Sequence, residues 1–453
     1  MSSDPWDLYR AIRARSRVSF FLDSVHYQKP NQVYSYIGAN PFLEVVLKGN
    51  TLRISGEKNE TYPAAQLLPV LRKLFKQYAT KSKTPFFSSG AVGFWGYELA
   101  PYFEKIRFRN KPAPGTPILH LGFYRDVKVY DHQKKKWASL SLRAERSNLN
   151  HRSKTLSGDL DCFVAKNAPR NDKFYFHHFK PEITKRQFEK MVRKAKAYIA
   201  AGDIYQANLS QRFHFGFKGS PLNLYGALRK INPSPFASFL DFGDYQILSS
   251  SPERLVQKKG RMASTRPIAG TRPRKSSNRE LLRNEKERAE HIMLLDLERN
   301  DLGRVCHYKS VKVTEMMGIE KYSHVIHIVS EVQGKLRQGK DGLDLLASMF
   351  PGGTITGCPK VRCMEIIDEL EPVQRGIYTG SIGYWDFRGD LDLNIVIRTL
   401  ILQKNKGYFQ TGAGIVHDSD PAREYEETLY KGEAMAAALV AACHPREGGD
   451  PGT

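Results

Sequence analysis

The chain has 453 residues, 41% hydrophobic and 26% charged, so it can bury the core of one large domain or of two closely packed ones. Its formal net charge of +23 suits an anionic substrate, an acidic partner or nucleic acid, but its lysines and arginines are dispersed rather than clustered. Five cysteines without a CxxC pair indicate reduced thiols rather than a disulfide framework or a zinc site. The polar N-terminus and the lack of an apolar run of about 18 residues predict a cytoplasmic protein without a signal peptide or a membrane span.

Residues 1–138 form the first predicted region, made of strands and short helices. The apolar and β-branched segments 43–47 and 127–130 are typical of strands. Apolar residues at helical spacing predict a helix within 63–78.

Residues 139–173 break this pattern because they are polar, rich in serine, asparagine and arginine, and weakly periodic. The stretch resembles a translated bacterial repeat element, as does the tail 443–453. We therefore expect a dispensable surface insertion and a disordered tail.

Residues 174–442 have regular patterns again. Thr184 is a plausible N-cap for a helix through Ala200, and Gly202 ends it. Further helices are predicted at 280–300, 342–349, 361–370 and 420–442, and strands at 207–215, 237–242, 246–248, 380–384, 393–402 and 407–410.

Two pairs of glutamates stand out within the predicted helices: Glu287 with Glu290, and Glu424 with Glu427. A spacing of three residues places both carboxylates of a pair on one helix face. If the two helices face each other, the four carboxylates form an oxygen-rich site for Mg²⁺. A solvated helix face is the alternative interpretation.

Other features indicate a site for a carboxylate ligand. The glycine- and proline-rich loop 350–360 precedes a helix, and its backbone N–H groups suit an anion, although a tight structural turn is the alternative. Arg398 lies in an apolar predicted strand and requires an anionic partner, which Tyr378 could help to hold. His327 also lies in a strand-like run, where a structural role is equally plausible.

A series of motifs follows in order along residues 180–440: IYQANLSQRF, SSSPERLV, STRPIAGTRPR, ERAEHIMLLDLERNDLGRV, SHVIHIVSEV, FPGGTITGCPKVRCMEIIDELEP, YTGSIGYWDF, NIVIRT, QTGAGIV and EYEETLYKGEA. Together these motifs resemble those of the chorismate-utilising enzymes. FLDSV and YSYIG resemble the family's allosteric-site segments. The resemblance implies an α+β fold of two packed, mainly antiparallel β-sheets flanked by helices, as in anthranilate synthase component I.

The resemblance also implies roles for particular residues. Mg²⁺ would be held by Glu290 and Glu427, supported by Glu287 and Glu424, and would orient a carboxylate of chorismate. The enolpyruvyl carboxylate would be bound by Arg398 and Tyr378, and the pocket completed by Thr354, Gly414 and Lys431. His327 would assist departure of the C4 hydroxyl as an acid or hydrogen-bond donor.

Two positions bear on the nucleophile. Family members that add water carry a lysine where this chain has Gln206, which favours ammonia supplied by a separate glutamine amidotransferase subunit. Some members that aminate C4 carry a lysine where this chain has Ala269, in the pocket segment that also contains Gly270. That departure resembles the anthranilate-forming members.

The segments NPSPFA, FPGGTITG and YTGSIGYWDF resemble the family members that form 4-amino-4-deoxychorismate more than those that form anthranilate. The resemblance therefore implies 4-amino-4-deoxychorismate, a precursor of 4-aminobenzoate and folate, as the product. A basic nucleic-acid-binding protein is a different class of alternative, disfavoured by the dispersed charge. The predicted partners are therefore chorismate and the amidotransferase, with no nucleic acid or membrane.

Overall fold

The computed structural model describes residues 4–24, 33–109, 111, 115–138, 175–273, 277, 284–321 and 325–443. The predicted insertion and the tail after Cys443 lie outside these residues. The helices of the described residues are α1 (Pro5–Arg13), α2 (Leu67–Gln77), α3 (Lys185–Ala200), α4 (Pro221–Ile231), α5 (Glu285–Gly303), α6 (Gly342–Met349), α7 (Lys360–Leu370) and α8 (Pro421–Cys443). Short 3₁₀ helices occupy Ala64–Gln66, Tyr97–Tyr102 and Gly353–Ile355.

The strands of the same residues are β1 (Ser19–Asp23), β2 (Tyr34–Ala39), β3 (Leu43–Lys48), β4 (Thr51–Gly56), β5 (Glu60–Pro63), β6 (Gly90–Trp95), β7 (Leu119–Tyr124), β8 (Lys128–Asp131), β9 (Lys136–Ala138), β10 (Tyr175–Pro181), β11 (Gln206–Lys218), β12 (Phe236–Asp241), β13 (Tyr245–Ser251), β14 (Arg254–Lys259), β15 (Met262–Arg266), β16 (Ile268–Pro273), β17 (Lys312–Lys321), β18 (Val325–Lys335), β19 (Gly357–Cys358), β20 (Ser381–Asp386), β21 (Leu391–Asn394), β22 (Thr399–Gln403) and β23 (Lys406–Ile415).

The strands form two large antiparallel sheets. The first, of 11 strands, has the order β10-β11-β23-β22-β13-β12-β1-β2-β8-β9, with β19 also paired to β11. The second, of 12 strands, has the order β16-β18-β15-β14-β21-β20-β6-β7-β3-β4-β5, with β17 paired to β18. One hydrophobic cluster joins Phe20 and Ile247 of the first sheet to Val92 and Phe94 of the second. The sheets therefore pack face to face, and the predicted fold class is confirmed.

Both sheets combine strands from the two sides of the predicted insertion. In the first sheet Phe21 of β1 is opposite Phe239 of β12, and in the second Trp95 of β6 is opposite Ser381 of β20. The strands that flank residues 139–174 are β9 and β10, at opposite edges of the first sheet. The chain between them must therefore reach from one edge of this sheet to the other.

Helix α8 packs against α3, α4 and β23 on the outer side of the first sheet. Several predicted elements are confirmed, among them α6 at 342–349 and α3, whose cap Thr184 accepts a hydrogen bond from the Gln187 backbone N–H (3.3 Å). Among the described residues, no helix has both the length and the apolar character that crossing a membrane requires.

The predicted continuous strand 393–402 is wrong. β21 ends at Asn394 in the second sheet and β22 begins at Thr399 in the first, so the chain crosses between the sheets in the intervening residues. Arg398 lies in this crossing with φ of 50°, in the left-handed region that few non-glycine residues adopt. An apolar run shows that a segment is buried but not which sheet it joins, and for this reason the crossing could not be predicted from the residues alone.

Candidate active site

The candidate site forms where the chain crosses between the two sheets at neighbouring points. One crossing, between β13 and β14, carries Glu253; the other, between β21 and β22, carries Arg398. Backbone hydrogen bonds join them: the N–H of Ile395 donates to the carbonyl of Glu253 (3.0 Å), and the N–H of Ser250 donates to that of Arg398 (3.1 Å). These bonds fix an acidic and a basic side chain close to each other.

Glu253 has an almost fully buried carboxyl group, with 7% of the residue exposed. The hydroxyl of Thr354, in the glycine-rich loop, donates a hydrogen bond of 2.8 Å to Glu253 Oε1. Burial raises the Glu253 pKa to about 7, against the hydrogen bond from Thr354 and the charges of Arg398 and Lys431, which lower it. The group can therefore hold or release a proton near neutral pH.

His327 lies on β18, beside a bulge in β16 centred on Gly270. Its Nδ1 is 3.2 Å from the Gly270 carbonyl oxygen and must carry the proton to form this bond. Burial and the charge of Arg398 lower the His327 pKa to about 4, so the imidazole is neutral near pH 7. In this tautomer Nε2 faces away from the Gly270 bond, and the role of His327 toward the C4 hydroxyl stays a prediction.

Tyr378 and Lys431 meet at Gly412 of β23. A Cβ atom at Gly412 would lie 2.9 Å from the Tyr378 hydroxyl and 2.4 Å from Asn208 Oδ1, so only glycine fits there. The Lys431 ammonium donates to the Gly412 carbonyl (3.0 Å) and forms an ion pair with Glu427 (2.7 Å). Burial raises the Tyr378 pKa well above its usual value, which keeps the phenol a neutral donor.

Gln206 begins β11 and is adjacent to Gly414 of β23. A Cβ atom at Gly414 would lie 2.7 Å from Gln206 Nε2, so both predicted residues belong to one local arrangement. Ala269 pairs through its backbone with Ile328, next to His327 on β18. The structure thus places the predicted substrate-site residues on a small set of neighbouring strands and crossings.

The four glutamates of the predicted Mg²⁺ site lie on α5 and α8. Among the described residues, no three or more His, Cys, Asp or Glu side chains are close enough together to hold a metal ion. Glu427 is engaged by Lys431, and Glu287 lies in the first turn of α5, where its N–H donates to the Asn284 cap (3.0 Å). Carboxylates are chemically suited to Mg²⁺, and the metal stays a prediction.

A second site is a cavity of about 300 Å³ that none of these catalytic candidates lines. It collects residues from both segments that resemble allosteric ones, Asp23 and Tyr34 among them, together with Phe236 and Ala237. Asp23 is held by the Arg229 guanidinium at 2.9 Å. Segments far apart in the sequence therefore meet at one small-molecule cavity away from the active site.

Sequence reasoning missed Glu253, Asn208 and Arg375. Arg375 is 1% exposed, pairs with Glu371 (2.7 Å), and places its guanidinium 5.7 Å from the Tyr378 ring centre, which supports that ring. A signal for Glu253 was present, because an acidic residue in SSSPERLV follows a buried strand and has a basic neighbour. We found no comparable signal for Asn208.

Comparison with known proteins agrees with this geometry. Residues 22–437 match the family model described as chorismate binding enzyme, and the chain belongs to this family. It is 43% identical to aminodeoxychorismate synthase component 1 of Bacillus subtilis (strain 168) over 424 residues, 90% of this chain and 89% of that protein. It is 42% identical to anthranilate synthase component 1 of Acetivibrio thermocellus over 459 residues, 96% and 92% of the two chains.

A solved structure shows the same architecture. Anthranilate synthase component I from Streptococcus pneumoniae TIGR4 superposes with a TM-score of 0.75 at 36% identity, covering 90% of this chain and 93% of that one. The family is thus established. Because the chain is almost equally identical to two kinds of synthase, sequence identity does not decide between their two products.

Proposed function

We propose that this protein aminates chorismate at C4 to give 4-amino-4-deoxychorismate, with ammonia from a glutamine amidotransferase subunit. The observation that carries the proposal is the buried Glu253 carboxyl, hydrogen-bonded to Thr354 beside Arg398 and Lys431. A proton donor with a pKa of about 7 beside two cations suits a dianionic substrate that must lose a hydroxyl group.

The chemistry assigned to Glu253 is acid catalysis. Its protonated carboxyl gives a proton to the C4 oxygen, the C–O bond breaks, and the oxygen leaves as water. The lone pair of ammonia forms the new C–N bond, and the resulting ammonium group returns one proton to the Glu253 carboxylate. The net change replaces a hydroxyl group with an amine and releases one water molecule.

Other residues bind and orient the substrate. The Arg398 guanidinium and the neutral Tyr378 hydroxyl are suited to bind a carboxylate together. Mg²⁺ would be held by Glu290 and Glu427, with Glu287 and Glu424 in support. When bound, it would neutralise and orient the second carboxylate.

The choice of nucleophile and product rests on two further observations. Gln206, an amide beside Gly414, cannot act as the base that deprotonates water, which supports ammonia as the nucleophile. Phe236 and Ala237, in the segment that favours the C4 product, line the second cavity. The alternative product is anthranilate, supported by Ala269 and by the relatives of that kind.

Product analysis tests the proposal. The purified protein is incubated with chorismate, Mg²⁺ and an ammonium salt, and the products are separated with and without an aminodeoxychorismate lyase. Formation of 4-aminobenzoate only when the lyase is present supports the C4 amine. Fluorescent anthranilate formed without the lyase would refute the proposed product while leaving chorismate amination intact.

A further inference from the structure

A row of buried polar side chains leads away from Gln206 along the paired strands β11 and β23. Alternation places Gln206, Asn208, Ser210 and Arg212 on one face of β11, whereas Phe213 on the other face packs into the core beneath α8. Gln410 of β23 is opposite Arg212 and donates through Nε2 to the Ser210 hydroxyl (3.4 Å). The row therefore begins at the candidate active site and continues between the sheets.

The amide side chains of this row have unused hydrogen-bonding capacity. Gln206, Asn208 and Gln410 are 3%, 8% and 3% exposed, and their side-chain oxygens have no hydrogen-bond partner among the described residues. A buried acceptor without a partner is destabilising, because it has lost its hydrogen bonds to water without gaining others. Glycines 412 and 414 let the amides of Asn208 and Gln206 lie against the backbone of β23, since a Cβ atom would meet them at 2.4 and 2.7 Å, respectively.

The far end of the row is a cavity of about 10 Å³, lined by Ser210, Arg212 and Gln410 among others. This is about the volume that one water-sized molecule needs. Arg212 Nε is a buried donor without a partner within the described part of the chain, whereas Nη2 of the same guanidinium donates to the Gln374 carbonyl. Two carboxylates also line the cavity: Glu371 is engaged by Arg375 (2.7 Å), and Glu182 lies 3.3 Å from His214 Nδ1.

A small occupant of this cavity must accept a hydrogen bond from Arg212 Nε and donate one to Gln410 Oε1. Ammonia has both a lone pair and N–H groups, whereas ammonium has no lone pair to offer. We propose that the row from Arg212 and Gln410 through Asn208 to Gln206 binds ammonia and passes it to chorismate. This inference rests on the proposed function and adds Asn208, Gln410 and Arg212 as nucleophile-binding residues.

The test compares Michaelis constants in folded variants. Gln410→Met removes the amide oxygen at similar length, and Arg212→Lys keeps the charge but removes the Nε donor. Each should raise KM for ammonium by about five- to tenfold, the loss of one hydrogen bond, with KM for chorismate unchanged. The matched control is Gln257→Met, a buried amide of β14 that does not line this cavity and donates to Asp392 (2.6 Å).

Glutamine-dependent turnover with the amidotransferase supplies a second measurement. In Gln410→Met, glutamate release should exceed amine formation, since ammonia escapes before it reacts. An unchanged KM for ammonium in both folded variants means that the row holds only water and overturns the inference, as does an equal rise in Gln257→Met. If the wild-type protein forms no amine at all, the proposed function is refuted, and the inference with it.

Discussion

Removing residues 143–171 and joining the cut ends directly should destabilise the protein, even though the sequence of this stretch predicts that it is dispensable. The flanking strands β9 and β10 are the two edges of the first sheet, nine strand-to-strand steps apart. At about 4.8 Å a step, that distance is about 43 Å along the sheet. The seven residues left between Ala138 and Tyr175 reach about 28 Å at most.

Along the sheet the shortfall is about 15 Å, and we expect it to be met by detaching edge structure. β9 is the weaker edge, because it has three residues and, within the described part of the chain, pairs with β8 alone. The Trp137 ring lies 5.2 Å from that of Tyr130. Losing these hydrogen bonds and the burial of Trp137 should lower the free energy of unfolding by about 3 kcal/mol.

The assay is urea unfolding followed by circular dichroism, on the direct join and on a variant with a 15-residue Gly/Ser linker at the cut. The linker raises the maximum reach to about 80 Å, so stability and ammonia-dependent activity should return to the wild-type level. A direct join as stable as the wild-type protein would refute the reasoning from strand order. Failure of the linker variant would show that the deleted residues have a role beyond their length.

The remaining predictions concern the active site. Glu290→Gln and Glu427→Gln should each abolish amination with either ammonia or glutamine, because a lost anionic ligand weakens Mg²⁺ binding; near-normal turnover at modest Mg²⁺ would remove that residue from the site. In the wild-type protein, kcat/KM for chorismate should fall as pH rises through about 7, because burial raises the pKa of Glu253 to about 7 and the protonated carboxyl is required. Glu253→Gln should lower kcat at least about 100-fold and abolish this fall with pH. If the fall with pH persists in the variant, it belongs to another titrating group. Gln206→Lys should introduce water addition, since a lysine whose pKa is lowered by partial burial can deprotonate water; complete absence of isochorismate and salicylate from a folded, chorismate-binding variant would count against it.

Local signals in the sequence were sufficient for many elements. Thr184 followed by Gln187 forms a capping box, and the helix begins where this pair predicts, at Lys185. Helix α5 was expected from residue 280 but begins at Glu285, because Asn284 provides its N-cap. Such signals act within one helical turn and are therefore readable from the chain alone.

The candidate site was only partly readable for the same reason. Arg398 stood out as a charged side chain in an apolar segment, but the residues around it and around Tyr378 depend on strands that pair across long stretches of sequence. Glu253 becomes a candidate acid only when burial and the contact with Thr354 are known. No local pattern in the sequence predicts the order of strands in the two sheets or the row of amides beside Gln206.

The mixing of early and late strands in both sheets has a consequence for synthesis of the protein. When β1 and β6 leave the ribosome, their partners β12 and β20 have not yet been made. The backbone N–H and C=O groups on those edges of β1 and β6 therefore stay unpaired until the later strands are synthesised. Neither sheet can close until β20–β23 have emerged, and long-range pairing of this kind is slow and exposes edges that aggregate. We therefore expect the nascent chain to depend on chaperones until nearly the whole sequence has been translated.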